Sequence, residues 1–174
     1  MKDEALTHYF KDDGLIPNSP LPLVIYKGVF VERDRRGARW LEHRFGSHNW
    51  SNAWRGGVFQ FHHYHSITHE VIGVYQGESI LQFGGDGGES IYVQAGDVIV
   101  IPAGVAHKNL GSNVGFQVVG AYPNGMDYDI KRDDPRDYRE AIHNLTLVQP
   151  PDKDPLFGEQ GGVSRFWLLE QSRG

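Results

Sequence analysis

The part of the sequence best suited to chemistry is the histidine-rich segment 61–70, which ends in a glutamate. His63 and His65 are two residues apart, so both imidazoles point the same way in an extended strand. Glu70 lies five positions after His65. A tight turn at 66–68 is expected to send the chain back antiparallel and carry the Glu70 carboxylate past the two rings. Imidazoles and a carboxylate that face one point are typical of a metal site.

A further candidate ligand comes from a later part of the chain. The apolar run 98–101 predicts a buried strand, and the proline and glycine that follow it turn the chain sharply. His107 is then left at the entrance of the next strand. We therefore predict four metal ligands: His63, His65, Glu70 and His107. Three imidazoles and one carboxylate suit iron(II), manganese, nickel or zinc, and this ligand set does not select among them.

The spacing of these residues resembles the two motifs of the cupin superfamily. The first motif is matched by Gly57, His63, His65, Glu70 and Gly77, and the second by Gly96, Pro102, Gly104 and His107. One position departs from the pattern. The second motif usually closes with an asparagine four residues after its histidine, whereas this chain has Gly111 there and Asn109 two residues earlier. That asparagine is not a metal ligand in the family, so the departure concerns local packing.

A narrower resemblance is to the small bacterial cupins called YjlB-like. It is carried by segments 63–66, 68–71, 95–105 and 119–123, and it extends over roughly residues 9–157. The resemblance implies an all-β fold, the cupin-type double-stranded β-helix or jelly-roll barrel (RmlC-like), with a metal site. It also implies a homodimer. It brings no activity that can be carried over to this chain.

The elements that position these residues follow from the pattern of apolar runs and turns. Six strands at short, regular intervals are typical of a sandwich or barrel. They are predicted at 58–65, 70–76, 79–83, 90–94, 98–101 and 116–121. We expect a single domain with a barrel core at 57–122, an N-terminal arm and helix at 1–56, and a C-terminal helix and extended tail at 123–174.

Outside the barrel core, two helices and several apolar segments are predicted. One helix covers 34–45, and a second begins with Asp134 as N-cap and Pro135 at its first position. Short strands at 8–10 and 23–26 are expected to form an arm of the kind that pairs across a dimer. Trp50 and Trp54 are interpreted as buried packing residues. The apolar stretch 165–169 needs a surface to cover it, and another subunit is a candidate.

Composition narrows the classes of function. The net charge of -5 and the isoelectric point near 6.0 offer no general attraction to nucleic acids or anionic membranes. The basic residues in 33–39 have acidic residues among and beside them, as on a solvated helix face. With 0 Cys, disulfides and thiolate chemistry are excluded. The N-terminus lacks the apolar core of a secretion signal, so a soluble, cytoplasmic protein is expected.

Other histidine-based and motif-based chemistries do not fit the chain. Strand parity puts His62 and His69 on the face opposite the predicted ligands, which favours a hydrogen-bonded or surface role for both. The helical zinc-protease signature requires a second histidine three residues after His69-Glu70, where this chain has Gly73. No nucleophile elbow or dinucleotide-binding glycine pattern is present.

The predicted site supports two main functions. Four protein ligands around an octahedral ion would leave two adjacent positions for water, substrate or dioxygen. A metalloenzyme, a dioxygenase or an isomerase acting on a small oxygen-rich metabolite chelated by the ion, is the leading hypothesis. The alternative is a non-catalytic module that uses the metal to bind or sense a small molecule. A purely structural metal is a third option, and no general base can be named.

Overall fold

The computed structural model describes residues 4–168 of the chain. It contains two antiparallel sheets and two α-helices, α1 at Asp34–Ser47 and α2 at Pro135–Leu145. The strands are β1 Leu6–Phe10, β2 Ser19–Tyr26, β3 Trp50–Gly56, β4 His63–Tyr64, β5 Glu70–Gln76, β6 Glu78–Phe83, β7 Glu89–Gln94, β8 Val98–Ile101, β9 His107–Asn109, β10 Gln117–Pro123 and β11 Lys131–Arg132. Across 4–168, no helix has the length and apolar character needed to cross a membrane.

The strand order confirms the predicted all-β jelly-roll fold. The larger sheet runs β1-β2-β8-β5-β10-β3, and the smaller runs β11-β4-β9-β6-β7. Sequence neighbours are therefore often separated in space, as in a double-stranded β-helix. Every pairing between the named strands is antiparallel. Because successive side chains of a strand point to opposite faces, alternate side chains point into the space between the sheets.

Strand β5 is buried on both faces, and this sets the direction of its first residue. Ile72 and Val74 pack into the core between the sheets, whereas Val71 and Tyr75 belong to the cluster that also contains helix α1. Glu70 shares the parity of Ile72 and Val74, so its side chain enters the barrel interior. The carboxylate is therefore placed inside an apolar core, where it needs compensating partners.

The structure corrects several local predictions. The strand predicted over 58–65 is reduced to β4 at His63–Tyr64. Strand β3 was not predicted at all. Strands β1 and β2 pair with each other, and β2 also pairs with β8 of the same chain. The segment predicted to form an arm across a dimer is therefore part of the barrel. The predicted N-cap of α2 is confirmed, because Asp134 Oδ1 accepts a hydrogen bond of 2.7 Å from the Arg136 backbone.

The C-terminal segment packs on its own chain. Trp167 is fully buried, and its Nε1 donates a hydrogen bond of 2.8 Å to the carbonyl oxygen of Pro22. Phe166 also packs against the core cluster behind the larger sheet. Most of the apolar stretch predicted to need another subunit is thus covered within the chain, while Leu169 lies outside the described residues.

The turn at Gly104 holds the His65 segment in place. Its backbone N–H donates a hydrogen bond of 2.8 Å to the His65 carbonyl oxygen. Gly104 has a φ of +94°, and an added Cβ would lie 2.3 Å from the carbonyl oxygen of Asn18. Both the backbone conformation and the close approach require glycine here.

Replacement of Gly104 by alanine is therefore expected to lower the free energy of unfolding by about 2 to 3 kcal/mol. Gly115 is the matched control, since its φ is +75° but a Cβ there would meet no atom within 4 Å. Gly115→Ala adds backbone strain without a clash and should cost about 1 kcal/mol. Urea denaturation of both variants measures the difference. Equal losses would show that Asn18 does not restrict this turn.

Candidate metal centre

Three of the four predicted ligands form a buried cluster of imidazoles. His63 of β4 and His107 of β9 are direct cross-strand partners, with ring centroids 4.0 Å apart. His65 lies two residues beyond His63 and shares its parity. One ring nitrogen from each histidine lies within 4.8 Å of the others, and all three side chains are buried. This cluster could hold a metal ion.

Glu70 approaches the cluster from the opposite sheet. Its Oε1 lies 3.2 Å from His107 Nε2 and 3.4 Å from His65 Nε2. The predicted hairpin between the histidine strand and the Glu70 strand is wrong. Strand β5 pairs with β8 and β10, whereas β4 pairs with β9 and β11, so residues 66–69 cross from one sheet to the other. The carboxylate thus reaches the rings across the barrel interior.

Backbone carbonyl groups fix the orientation of all three rings. Each Nδ1 lies at hydrogen-bond distance from one carbonyl oxygen, that of Phe61 for His63 (3.1 Å), Asp129 for His65 (2.5 Å) and Val105 for His107 (3.2 Å). A carbonyl oxygen only accepts, so each Nδ1 carries the hydrogen. In a neutral ring this leaves the Nε2 lone pair free to bind a metal.

The short contacts between Glu70 and two Nε2 atoms need a positive charge between them. A lone pair and a carboxylate oxygen at 3.2 to 3.4 Å repel each other unless a proton or a cation lies between them. The donor set therefore fits a divalent ion that binds the carboxylate and the ring nitrogens together.

The pKa shifts in the cluster arise from burial and from the charges of neighbouring side chains. Burial, followed by repulsion from His107, lowers the pKa of His63 to about 2. Burial also lowers the pKa of His65, but attraction to Glu70 outweighs it and the net shift is upward. Burial opposes ionisation of Glu70, and His65 and His107 more than compensate, so its pKa is below the usual range. His63 is thus neutral, while Glu70 is a carboxylate.

The second oxygen of Glu70 is held by a chain of two aromatic side chains. The Tyr122 hydroxyl donates a hydrogen bond of 2.8 Å to Glu70 Oε2, and Trp54 Nε1 donates one of 2.8 Å to the Tyr122 hydroxyl. Burial and the nearby carboxylate raise the pKa of Tyr122, so its hydroxyl stays protonated. Oε1 is thereby directed towards the imidazoles.

Trp50 and Trp54 are both interpreted from the sequence as buried packing residues. Trp50 is buried as predicted, whereas Trp54 lines the cavity beside the cluster.

Residues after the barrel support His65 from the other side. The Asp129 carboxylate accepts hydrogen bonds from the backbone N–H of Ser66, at 2.7 Å, and from the Ser66 hydroxyl. Asn144 of α2 donates to the same hydroxyl at 3.0 Å. Asp129, whose carbonyl fixes His65, is therefore tied to the segment that follows β4 and, through Ser66, to α2. No local pattern in the sequence indicates the role of Asp129, since its contact with His65 joins residues 64 positions apart.

The two neighbouring histidines lie outside the cluster and are hydrogen-bonded, as predicted. His62 Nε2 lies 2.8 Å from Asp86 Oδ1. His69 Nδ1 accepts a hydrogen bond of 2.9 Å from the Ala103 backbone, and burial lowers the pKa of His69 to about 4. Both are buried structural residues.

The departure from the second motif is accommodated by a side-chain network. Asn109 is buried, and its Oδ1 accepts hydrogen bonds from the Ser79 hydroxyl (2.5 Å) and the Gly111 backbone (2.9 Å). Its amide donates to Asn113 at 2.7 Å. Asn109 therefore fixes the end of β9, two residues after His107.

A cavity of about 130 Å³ lies against the cluster. Its apolar lining includes Phe59 and Ile72, which lie beside the four candidate ligands. Phe61 instead stacks on Phe59, with ring centroids 4.7 Å apart, and Val74 packs in the core. Phe59 is 46% exposed, so the cavity reaches the surface beside the imidazoles.

Comparison with known proteins identifies the family. No family model matches the chain. The protein named "Uncharacterized protein YjlB" of Bacillus subtilis (strain 168) is 43% identical over 169 residues, which cover 97% of this chain and 99% of that protein.

The matches among solved structures are more distant. Acireductone dioxygenase from Bacillus anthracis, with a cadmium ion in its active center, is 14% identical with a TM-score of 0.40, over 72% of this chain and 81% of that chain. Procruciferin, an 11S globulin from Brassica napus, is 15% identical with a TM-score of 0.41, over 79% of this chain. The match to procruciferin spans 38% of that protein. The coconut allergen cocosin is 17% identical with a TM-score of 0.35, over 48% of this chain and 21% of that chain. Given the identity and full-length coverage of its Bacillus subtilis relative, the two motifs and the jelly-roll topology, the chain belongs to the YjlB-like group of the cupin superfamily.

Proposed function

We propose that the protein is a metalloenzyme of the dioxygenase or isomerase type, acting on a small oxygen-rich metabolite chelated by its metal. One divalent ion would be held by His63, His65, Glu70 and His107. The observation that carries the proposal is the convergence of buried Nε2 atoms on one carboxylate oxygen, with every Nδ1 committed to a backbone carbonyl.

Each part of the site has a defined task in this proposal. A bound divalent ion would supply Lewis acidity towards two substrate oxygens and, in the case of iron, a centre that activates dioxygen. The backbone carbonyls keep the three rings in the tautomer that binds a metal. Tyr122 and Trp54 keep the Glu70 carboxylate turned towards the rings. The cavity walls exclude water and orient the substrate.

Access to the cluster favours an enzyme over a structural metal. A structural site is closed by its ligands, whereas a catalytic site keeps room for substrate. The cavity of about 130 Å³ includes all four candidate ligands in its lining and reaches the surface beside Phe59.

Elemental analysis of protein purified without a nickel column tests the proposal first. About one divalent ion per chain is expected. Anaerobic reconstitution with each candidate ion, followed by oxygen-uptake and isomerase screens, then tests for turnover. A metal-free protein with no affinity for added iron, manganese, nickel or zinc would refute the proposal. Stoichiometric metal and ligand binding without turnover in these screens would support the binding module instead.

Tyr122→Phe is expected to weaken metal affinity by about 10- to 100-fold, because Glu70 loses the hydrogen bond that directs its Oε1. Tyr128→Phe is the matched control. Tyr128 stacks on Tyr122 with ring centroids 4.7 Å apart and lines the same cavity, so both changes remove one hydroxyl from one wall. Competition with a chromophoric chelator measures both affinities. Equal metal affinities in the two variants would show that Tyr122 does not position Glu70 for metal binding.

A further inference from the structure

The walls of the cavity are apolar beyond the candidate ligands. Five side chains form most of this surface: Trp54, Val58, Phe59, Ile72 and Ile130. Among residues 4–168, no lysine or arginine lines the cavity, and Glu70 is its single charged group. A substrate with a second anionic group inside the cavity would find no cation to pair with it.

The polar groups of the inner wall are already occupied. Trp54 Nε1 donates to the Tyr122 hydroxyl, which in turn donates to Glu70. Neither has a free hydrogen for a substrate. A polyhydroxylated molecule could reach the Tyr128 hydroxyl on the same wall, but it would bury its other hydroxyl groups against apolar side chains, and each unpaired group weakens binding by about tenfold.

The rim of the cavity continues the apolar surface outwards. Phe59, Tyr128 and Ile130 line the cavity and are 46%, 43% and 44% exposed. Large apolar side chains gathered around one opening are typical of a ligand-binding surface. The part of a substrate that extends from the ion towards these three side chains thus meets aromatic and aliphatic groups.

The volume of the cavity sets the size of the buried group. An apolar protein cavity of about 150 Å³ accommodates benzene. The cavity here, at about 130 Å³, is therefore comparable in size to one that holds a single ring, with further room at the rim.

From these observations we propose that the substrate joins one chelating pair of oxygens directly to a flat, apolar body such as an aromatic ring. The inference rests on the proposed function, because the oxygen pair requires the metal. It narrows the metabolite class by excluding sugars, sugar phosphates and small dicarboxylates.

Three hydroxamates that share one chelating group and differ in the attached body test the inference. Acetohydroxamate carries a methyl group, benzohydroxamate a phenyl ring and gluconohydroxamate a polyol chain. Their binding to the zinc-loaded protein is measured by titration calorimetry, since zinc supports no redox turnover. We expect benzohydroxamate to bind at least about tenfold more tightly than each of the others, because it buries apolar area.

Two variants distinguish the contribution of the cavity wall to binding from intrinsic differences in affinity between the probes. Phe59→Ser should remove most of the preference for benzohydroxamate while leaving acetohydroxamate affinity within about threefold. Ile80→Ser is the matched control, since Ile80 is also 46% exposed but lies outside the cavity lining, and it should leave the preference unchanged.

Equal binding of the three probes, or tightest binding of gluconohydroxamate, would overturn the inference while the zinc content still supports the metal site. An unchanged preference in Phe59→Ser would overturn it as well. A protein that takes up no zinc would instead defeat the proposed function, and elemental analysis of the same samples distinguishes this failure from the others.

Discussion

His63→Ala is expected to reduce metal affinity by roughly 60- to 700-fold while the barrel stays folded. Structural four-ligand zinc sites bind with about 10 to 16 kcal/mol, so each ligand accounts for roughly 2.5 to 4 kcal/mol, and 1.4 kcal/mol is tenfold. His63 is a strong test because its pKa of about 2 leaves it neutral and ready to bind at any physiological pH. Metal content after dialysis, together with competition titration, measures the loss.

His62→Ala provides the control at the adjacent position. His62 is 6% exposed and His63 is 4% exposed, so the two changes remove adjacent imidazoles that are buried to a similar degree. His62 contacts Asp86 and lies outside the cluster. We expect its metal affinity to match that of the unmodified chain. A similar loss in both variants would mean that the effect comes from disturbing the strand, and the assignment of His63 as a ligand would fail.

The imidazole cluster could be predicted because its determinants are local. His63 and His65 share a face by strand parity, and the turn that ends in His107 is marked by its own proline and glycine. The route of Glu70 could not be predicted in the same way. Which sheet a strand joins is decided by pairing with distant strands, and β5 pairs with β8 and β10 instead of returning along β4.

The residues that orient the carboxylate depend on register between distant strands. Gly120 of β10 pairs with Ile72 of β5, so two residues further on Tyr122 lies beside Glu70. These residues are 52 positions apart, and no local pattern fixes that register. The motif containing Tyr122 supported the family resemblance, but its role appears only in the folded chain.

Two strand predictions failed for physical reasons. Strand β3 is an edge strand that pairs with β10 alone, so most of its residues stay exposed and it lacks the alternation that reveals a strand. The chain before His63 has alternating apolar residues, yet the backbone of Val58 bonds to a side chain. Asn113 accepts from its N–H at 3.1 Å and donates to its carbonyl at 2.9 Å, which replaces strand pairing there.

A second buried carboxylate anchors the C-terminal segment to the barrel. Asp154 is fully buried, and its Oδ2 accepts hydrogen bonds from the Tyr26 hydroxyl (2.5 Å) and the Val163 backbone (3.1 Å). Its Oδ1 accepts from the backbone of Leu156 (2.8 Å) and Phe157 (3.0 Å). Burial raises the pKa of Asp154, and the four hydrogen-bond donors offset this shift only in part.

Asp154→Ala is accordingly expected to lower the free energy of unfolding by about 3 to 5 kcal/mol, because three backbone N–H groups and one hydroxyl lose a buried acceptor. For a chain of this size the melting temperature should fall by roughly 10 °C. Tyr26→Phe removes one of these hydrogen bonds and also the one of 2.6 Å that the Tyr26 hydroxyl accepts from the Gly162 backbone, so it should cost about 2 to 3 kcal/mol. Asp152→Ala, at an exposed position two residues earlier, should leave stability unchanged. Differential scanning calorimetry ranks the three variants, and an Asp154→Ala protein that melts with the Asp152→Ala control would show that the segment is held by its apolar contacts alone.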